Sequence, residues 1–118
     1  MTQLATPLAN RHCAPRTETL DPAAIAALLP EVPAWSIVDG ALRREFHFKN
    51  YYQTIAFVNA LAWMTHQQDH HPDLAVGYNV CRVSYTTHSA GASGGLSDND
   101  FICAAKADAI FGQNGVQA

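Results

Sequence analysis

The sequence predicts an α+β domain in which a four-stranded antiparallel sheet carries three helices on one face. Proline, glycine and capping residues divide the chain into seven short elements in the order α-β-β-α-β-β-α. Apolar residues alternate along the predicted strands, as expected where only one face of a sheet is covered. Helices packed on one side of an antiparallel sheet suit this element order.

The composition is that of one globular domain without a strong electrostatic signature. At 118 residues, 48% of them hydrophobic, the chain can bury a single core. A net charge of −3 favours neither nucleic acid nor acidic membrane as a partner, and no apolar run approaches the roughly 20 residues of a membrane span. The three cysteines, Cys13, Cys81 and Cys103, form no CxxC pair, so we expect no disulfide framework and a reducing, cytoplasmic location.

Three segments make up the predicted domain organisation. Residues 1–18 lack any hydrophobic period, and we expect a flexible N-terminal arm. Cys13 lies in this arm; a reactive thiol is one interpretation, but an incidental surface cysteine is the simpler one. Residues 19–112 form the single domain, and residues 113–118 form a polar tail.

Capping residues mark the first and last helices. Asp21 is a favourable N-cap, so a helix is predicted over residues 22–29. Ser97 is the expected N-cap of the last helix, and Asp100, three residues on, can reach back as in a capping box. The last helix is then predicted to continue to Phe111 and to end at Gly112.

Alternation and turn residues predict the strands. Asp39-Gly40 is a hairpin signal between strands over residues 35–38 and 41–48, with Arg44 interrupting the apolar face and His47 facing solvent. Residues 73–76 form a short strand. The clearest strand is residues 80–88, where His88 closes the polar face before a glycine-rich loop. Its opposite face carries Cys81, Val83, Tyr85 and Thr87.

Half of the six histidines fall at the end of the longest predicted helix, which runs from Tyr51 to about His70. His66 and His70, four residues apart, are predicted to share the less apolar face of this helix. His71 follows His70 and is predicted to point in another direction. Pro72 is predicted to end the helix near His70. This cluster is the first place to look for proton chemistry or a metal, because imidazole titrates near neutral pH.

Three interpretations of the histidines follow from the residues alone. His66 and His70 have the spacing of zinc-helix ligands, but Gln67 replaces the glutamate of an HExxH motif, and we expect no metal. Alternatively, histidines near a helix C-terminus are stabilised by its dipole, by about 0.3–1 kcal/mol. A further histidine, His88, at the end of a polar strand face favours the third interpretation, acid–base catalysis, in which each group contributes roughly 10²–10⁴-fold.

The sequence also resembles the pterin-4a-carbinolamine dehydratase family. The resemblance is carried by His66-x3-His70-His71-Pro72, Tyr78, His88 and an aspartate within residues 95–100. Upstream it includes Leu28-Leu29-Pro30, Trp35 and Phe46-His47-Phe48-Lys49-Asn50, and it spans residues 21–111. Asp100 matches the family aspartate by its context, while Asp98 also fits the permitted spacing. His66 stands where many relatives have a carboxylate, and we expect supporting roles for His66 and Asp100.

The resemblance implies a reaction and a set of site residues. The reaction is dehydration of 4a-hydroxytetrahydropterin to quinonoid dihydropterin, which recycles the cofactor of aromatic amino acid hydroxylases. It implies a homodimer or homotetramer, a pterin substrate, a hydroxylase as a possible partner, and no cofactor of the protein's own. The implied catalytic residues are His70, His71 and His88. The implied pterin contacts are Asp69, His70, His71, Thr86, Thr87, His88 and Ser89.

Two functions therefore remain open. In the first, His70 and His88 act as the acid–base pair, and His71 orients the pterin or shares proton transfer. In the second, the protein resembles family members that work by association, as a coactivator or an assembly factor. Such a role needs an exposed apolar helix face rather than histidines, so the complete histidine set favours catalysis.

Overall fold

The structure is a computed structural model and describes residues 7–91 and 94–113. Its regular elements are α1 (Pro22–Leu28), β1 (Ser36–Val38), β2 (Ala41–His47), α2 (Tyr51–Gln68), β3 (Asp73–Val76), β4 (Val80–Tyr85) and α3 (Asp98–Gln113). Short 3-10 turns lie at Leu8–Asn10 and Leu29–Glu31. The strands form one antiparallel sheet in the order β1-β2-β4-β3. The predicted α+β class and element order are confirmed.

The helices cover one face of this sheet with large apolar side chains. Fully buried members of the core are Leu42, Phe46, Phe57, Leu61, Val83, Tyr85, Phe101 and Ile102. They come from β2, β4, α2 and α3, and the strand members lie on the faces that the alternation predicts. Within residues 7–91 and 94–113, no helix is long and apolar enough to cross a membrane.

Arg44, which interrupts the apolar face of β2, is accommodated by aromatic rings and an acid. Its guanidinium carbon lies 4.3 Å from the Phe46 ring centroid and 5.2 Å from that of Phe111. Its Nη1 donates to Asp108 Oδ1 at 2.6 Å, and the indole N–H of Trp35 donates to the same oxygen at 2.8 Å. Cation–π contacts and charge-assisted hydrogen bonds thus allow a cation on the core-facing side of a strand.

The hairpin between β1 and β2 forms at the predicted residues. Asp39 and Gly40 have φ angles of 51° and 79°, which is the left-handed pair that a type I′ turn requires. Val38 then pairs with Ala41 as the first rung of the antiparallel ladder. This turn fixes the register of β2, and β2 in turn pairs with β4, the strand that leads to the site.

The end of α2 differs from the prediction. The helix ends at Gln68, because Asp69 adopts a left-handed conformation with φ 52° and ψ 44°. The N–H of Asp69 donates to the carbonyl of His66, and the N–H of His70 donates to that of Thr65, both at 3.2 Å. These are the two hydrogen bonds of a Schellman motif, with aspartate where glycine is usual. The prediction that Pro72 ends the helix near His70, with His66 and His70 on one helical face, is therefore wrong.

The last predicted strand also ends early. β4 stops at Tyr85, and Thr87 then forms an isolated antiparallel bridge with Gly95, through N–H···O bonds of 2.8 and 3.2 Å. His88 accordingly lies in the turn after the bridge rather than on the strand. At the C-terminus, α3 extends through Gly112, which was predicted to end it. The rest of the predicted tail, residues 114–118, lies outside the described residues.

The N-terminal segment, residues 7–20, is packed on the domain, which differs from the flexible arm that its composition predicts. Leu8 is buried in the core. The ammonium of Lys106 donates to the carbonyl of Ala9 at 2.8 Å, and the N–H of Cys13 donates to Gln68 Oε1 at 2.8 Å. Hydrogen bonds between side chains and the backbone hold this segment. Because such bonds do not require regularly spaced apolar residues, the sequence shows no hydrophobic period here. Residues 1–6 lie outside the described residues.

The buried acids of β4 make stability depend on pH in the alkaline range. Burial raises the pKa of Cys81 from 9.0 to about 11, and burial also raises the pKa of Tyr85. Both groups stay neutral in the folded protein while the unfolded chain ionises. The contribution of these two groups to the free energy of unfolding should therefore be complete below about pH 9 and be lost as the pH rises through 11, with about 2–3 kcal/mol of the loss from Cys81.

Urea denaturation at pH 7, 9 and 11 measures this loss. The Cys81→Ala variant, which lacks one of the buried acids, should lose less stability than the wild type over the same interval. An identical loss in both proteins would contradict the assignment to Cys81.

Candidate active site

A pocket of about 470 Å³ opens where the end of α2, the end of β4 and the start of α3 meet. Ligand sites in proteins commonly have this size. All seven residues that the resemblance assigns to pterin contact line it: Asp69, His70, His71, Thr86, Thr87, His88 and Ser89. The structure thus brings the two separated sequence stretches together, and the roles of the individual side chains stay predictions.

Two chain reversals account for this meeting. The left-handed Asp69 ends α2 and sends His70 and His71 out of the helix direction. The Thr87–Gly95 bridge ends the sheet pairing of β4, so the turn that follows carries His88 into the same pocket. The histidines therefore come from turns anchored at both sides by regular structure, which is a common way to place functional side chains on a rigid scaffold.

His70 is the most constrained of the pocket histidines. Its side chain is 11% exposed, and its Nε2 lies 2.6 Å from Asp100 Oδ1. Its ring stacks on that of Tyr85, with centroids 5.6 Å apart and planes 13° from parallel. The hydroxyl of Tyr85 is in turn hydrogen-bonded to Thr65 at 2.8 Å. Stacking on one side and a short hydrogen bond at Nε2 together fix the orientation of the imidazole.

Asp100 is fully buried and accepts hydrogen bonds from three directions. Its Oδ2 accepts from the N–H of Ser97 and from the hydroxyl of Thr87, each at 2.9 Å. Because the Thr87 hydroxyl donates to Asp100, the hydroxyl of Ser97 must donate to Thr87 Oγ1, 2.7 Å away. The N–H of Asn99 then donates to Ser97 Oγ at 3.3 Å. The predicted helix cap is confirmed, and the same carboxyl also holds His70.

The contact with Asp100 assigns the tautomer of neutral His70. A carboxylate only accepts hydrogen bonds, so Asp100 Oδ1 accepts the N–H of His70 Nε2, as carboxylates do for catalytic and metal-binding histidines. The proton-free nitrogen is then Nδ1, to which no hydrogen bond from the described residues is made. His70 can therefore accept a proton at Nδ1, and Asp100 stabilises the imidazolium that results.

The remaining histidines differ in position. His71 and His88 line the same pocket and are exposed, so they are open to a substrate. His66, expected to support the site, does not line the pocket; it lies on the exposed side of α2 against Trp63, with ring centroids 5.9 Å apart. Across the described part of the chain, no group of three or more His, Cys, Asp or Glu side chains is placed to hold a metal ion.

The sequence did not indicate one wall of the pocket. Cys13, Ala14, Pro15 and Arg16 of the N-terminal segment line it, together with Gln68 and Asn99. Asn99 holds this wall through its side-chain amide, which donates to the carbonyl of Ala14 at 2.7 Å and accepts from its N–H at 3.1 Å. Arg16 donates to the same amide oxygen at 3.4 Å. No signal in the sequence pairs these residues, because the segment is irregular and precedes the region of family resemblance.

A larger groove, of about 750 Å³, lies between α2, α3 and the N-terminal segment, and Gln68 lines both it and the histidine pocket. It is lined by Ala60, Trp63, Met64, Lys106 and Ile110 among others, with His12 as its single histidine. Because it gathers no acid–base pair, the histidine pocket is the candidate for catalysis.

Comparisons with known proteins identify the family of the chain. The family model described as Pterin 4 alpha carbinolamine dehydratase matches residues 18–110. A candidate pterin-4-alpha-carbinolamine dehydratase of Nitrosospira multiformis is 52% identical over 107 residues, covering 88% of this chain and 92% of that protein. A candidate enzyme of the same name from Stenotrophomonas maltophilia is 54% identical over 112 residues, covering 91% of this chain and 94% of that protein.

A solved structure shares the fold. The crystal structure of a transcriptional coactivator/pterin dehydratase from Brucella melitensis matches with a TM-score of 0.73 and 29% identity, covering 79% of this chain and 98% of that one. Fold and pocket together define a small α+β domain with a histidine-lined pocket. The chain belongs to the pterin-4a-carbinolamine dehydratase family. It is an enzyme of the 4a-hydroxytetrahydrobiopterin dehydratase type.

The buried carboxyl predicts a stability difference between two aspartates of the same helical turn. Asp100→Ala should lower the free energy of unfolding by about 2–4 kcal/mol, because it leaves buried donors of Ser97, Thr87 and His70 without an acceptor. Asp98→Ala is the matched control; its partly exposed ion pairs with Arg11 and Arg16 predict a loss of less than about 1 kcal/mol. Equal losses in urea denaturation would contradict the role assigned to Asp100.

Proposed function

We propose that this dehydratase removes water from 4a-hydroxytetrahydropterin by histidine acid–base catalysis, with His70 as the base. The observation that carries this proposal is the 2.6 Å contact between His70 Nε2 and Asp100 in a pocket that His71 and His88 also line. The pocket volume of about 470 Å³ suits a bicyclic pterin.

The reaction needs one proton acceptor and one proton donor. The substrate loses a proton from the ring N–H next to C4a and hydroxide from C4a itself. His70 Nδ1 accepts the N–H proton while the carbon–oxygen bond breaks, and a second histidine protonates the departing hydroxide to give water. The products are quinonoid dihydropterin and water, so the step involves no change of oxidation state and no covalent intermediate.

The second histidine in this proposal is His88. It lines the same pocket as His70 but comes from the turn after β4, and we propose that the pterin binds between the two imidazoles. His71 is adjacent to His70 and contributes by orienting the ring or by sharing proton transfer. Asp69, Thr86, Thr87 and Ser89 complete the proposed contact set with the pterin. For Thr87, the contact is limited, because its hydroxyl is already engaged with Asp100 and Ser97.

We also propose that the reaction recycles the pterin cofactor of an aromatic amino acid hydroxylase and that the protein works as a homodimer or homotetramer. The edges of the sheet support association, since Ile37 of β1 and Leu74 and Val76 of β3 are 39–44% exposed, and β3 is an edge strand whose four residues are all exposed. Sedimentation velocity measures the oligomer directly; a monomer at micromolar concentration would rule out this part of the proposal. A cytoplasmic location stays a prediction.

A second candidate function is association with another protein, since the Brucella melitensis relative is described as a transcriptional coactivator as well as a pterin dehydratase. One specific observation favours it here. Tyr52 and Trp63 of α2 are 81% and 63% exposed, which is unusual for large aromatic side chains. The two functions are compatible, because these side chains do not line the histidine pocket.

Dehydration rates of single variants test the catalytic proposal. Near neutral pH, His70→Ala and His88→Ala should each lower kcat by roughly 10²–10⁴-fold, and His71→Ala should have a smaller effect. His47→Ala is the control, because His47 is exposed on β2 and does not line the pocket. Near wild-type rates in all three pocket variants would refute the assignment. A wild-type protein that fails to accelerate the reaction would favour the association role instead.

A further inference from the structure

We propose that Cys13 and Cys103 form a redox-sensitive pair, in which a hydroperoxide converts the two thiols into a disulfide. This bond would tie the N-terminal segment to α3 at one wall of the histidine pocket. The proposal concerns a modification site beside the pocket and does not depend on which reaction the pocket catalyses.

The two sulfur atoms are close together in the folded protein. Cys13 Sγ and Cys103 Sγ lie 3.5 Å apart, although 90 residues of chain separate them. A disulfide requires about 2.05 Å, so the sulfurs must approach by about 1.5 Å. Cys103 is fully buried on α3, whereas Cys13 is half-buried on an irregular segment that can supply this movement.

Hydrogen bonds of Cys13 and Ala14 hold this part of the N-terminal segment against α2 and α3. The N–H of Cys13 donates to Gln68 Oε1 at 2.8 Å, and the next residue, Ala14, makes both amide hydrogen bonds with Asn99. Cys13 Sγ also lies 3.7 Å from the carbonyl oxygen of Asn99. Asn99 and Cys103 are one turn apart on the same helix, so the contacts that fix the segment also present one thiol to the other.

The three cysteines differ in the pKa of their thiols. The hydrogen bond from the Cys103 thiol lowers the pKa of Cys13, and the nearby His70 adds to this against the opposing effect of burial. The same hydrogen bond, together with burial, raises the pKa of Cys103. Burial raises the pKa of Cys81 to about 11. Since the thiolate is the nucleophile, Cys13 is the residue that reacts first, and Cys103 is placed to react second.

The chemistry balances with a hydroperoxide as the two-electron oxidant. The Cys13 thiolate attacks the distal peroxide oxygen, the O–O bond breaks, and Cys13 becomes a sulfenic acid while the peroxide is reduced to an alcohol or water. The sulfur of Cys103 then attacks the Cys13 sulfur. The S–S bond forms, the S–O bond breaks, and the hydroxyl leaves as water with the Cys103 proton. A dithiol reductant reverses the change by thiol–disulfide exchange.

A disulfide would affect the wall of the pocket that the N-terminal segment forms. Cys13 lines the pocket together with Arg16, His70 and His71. In the reduced protein this wall is held by hydrogen bonds, which can open and close. In the oxidised protein it would also be covalently attached to α3.

Peptide mapping tests the proposal on the full-length protein. The native protein is treated with hydrogen peroxide, quenched, denatured, alkylated with N-ethylmaleimide and digested with trypsin without reduction. The three cysteines fall in three different tryptic peptides, residues 12–16, 50–82 and 83–106. We expect residues 12–16 to be linked to residues 83–106 with the loss of two hydrogens, and the peptide with Cys81 to be alkylated.

Single substitutions provide matched controls. Cys13→Ser and Cys103→Ser should each abolish the linked peptide, while Cys81→Ser should retain it. Dithiothreitol before alkylation should return both peptides to the alkylated form. The proposal is overturned if Cys103 stays alkylated while Cys13 accumulates as sulfinic acid, or if the link involves Cys81. It is also overturned if all three cysteines remain alkylated at peroxide concentrations that oxidise a free thiol in the same solution. None of these readouts requires dehydratase activity.

Discussion

The site depends on one buried carboxyl group. Asp100 accepts hydrogen bonds from Ser97 at the start of α3, from Thr87 after β4, and from His70 after α2. The apolar core and the hydrogen bond between Thr65 of α2 and Tyr85 of β4 also connect these elements. A buried carboxyl is costly without partners, and here both carboxyl oxygens of Asp100 have hydrogen-bond partners. The same interactions therefore stabilise the junction of the elements and orient the imidazole that we assign as the base.

The histidine pocket forms where regular structure ends. Asp69 reverses the chain after α2, the Thr87–Gly95 bridge redirects it after β4, and both turns line the pocket. The N-terminal segment forms a third wall, attached through the side-chain amides of Asn99 and Gln68. Rigid helices and strands hold the positions of these turns, while one wall rests on a few hydrogen bonds beside a pair of thiols.

Much of the fold could be predicted from local signals. Backbone conformation is indicated directly by the Asp39-Gly40 turn, the Asp21 cap and the alternation in β2 and β4. The end of α2 could not be predicted, because a proline three residues beyond Asp69 is a stronger signal than a left-handed aspartate. The sequence predicted that Asp100 caps α3 and supports the site, but it did not indicate that one carboxyl oxygen contacts His70, since a capping pattern does not show what that oxygen binds. The packed N-terminal segment leaves no periodic pattern.

The most direct test of this account is the tautomer of His70. In ¹⁵N-labelled protein, long-range ¹H–¹⁵N correlation spectra distinguish a protonated from an unprotonated ring nitrogen, and the His70→Gln variant assigns the signals. The account predicts that neutral His70 carries its proton on Nε2, facing Asp100, and leaves Nδ1 free to accept a proton. A proton on Nδ1, or a mixture like that of free imidazole, would contradict it.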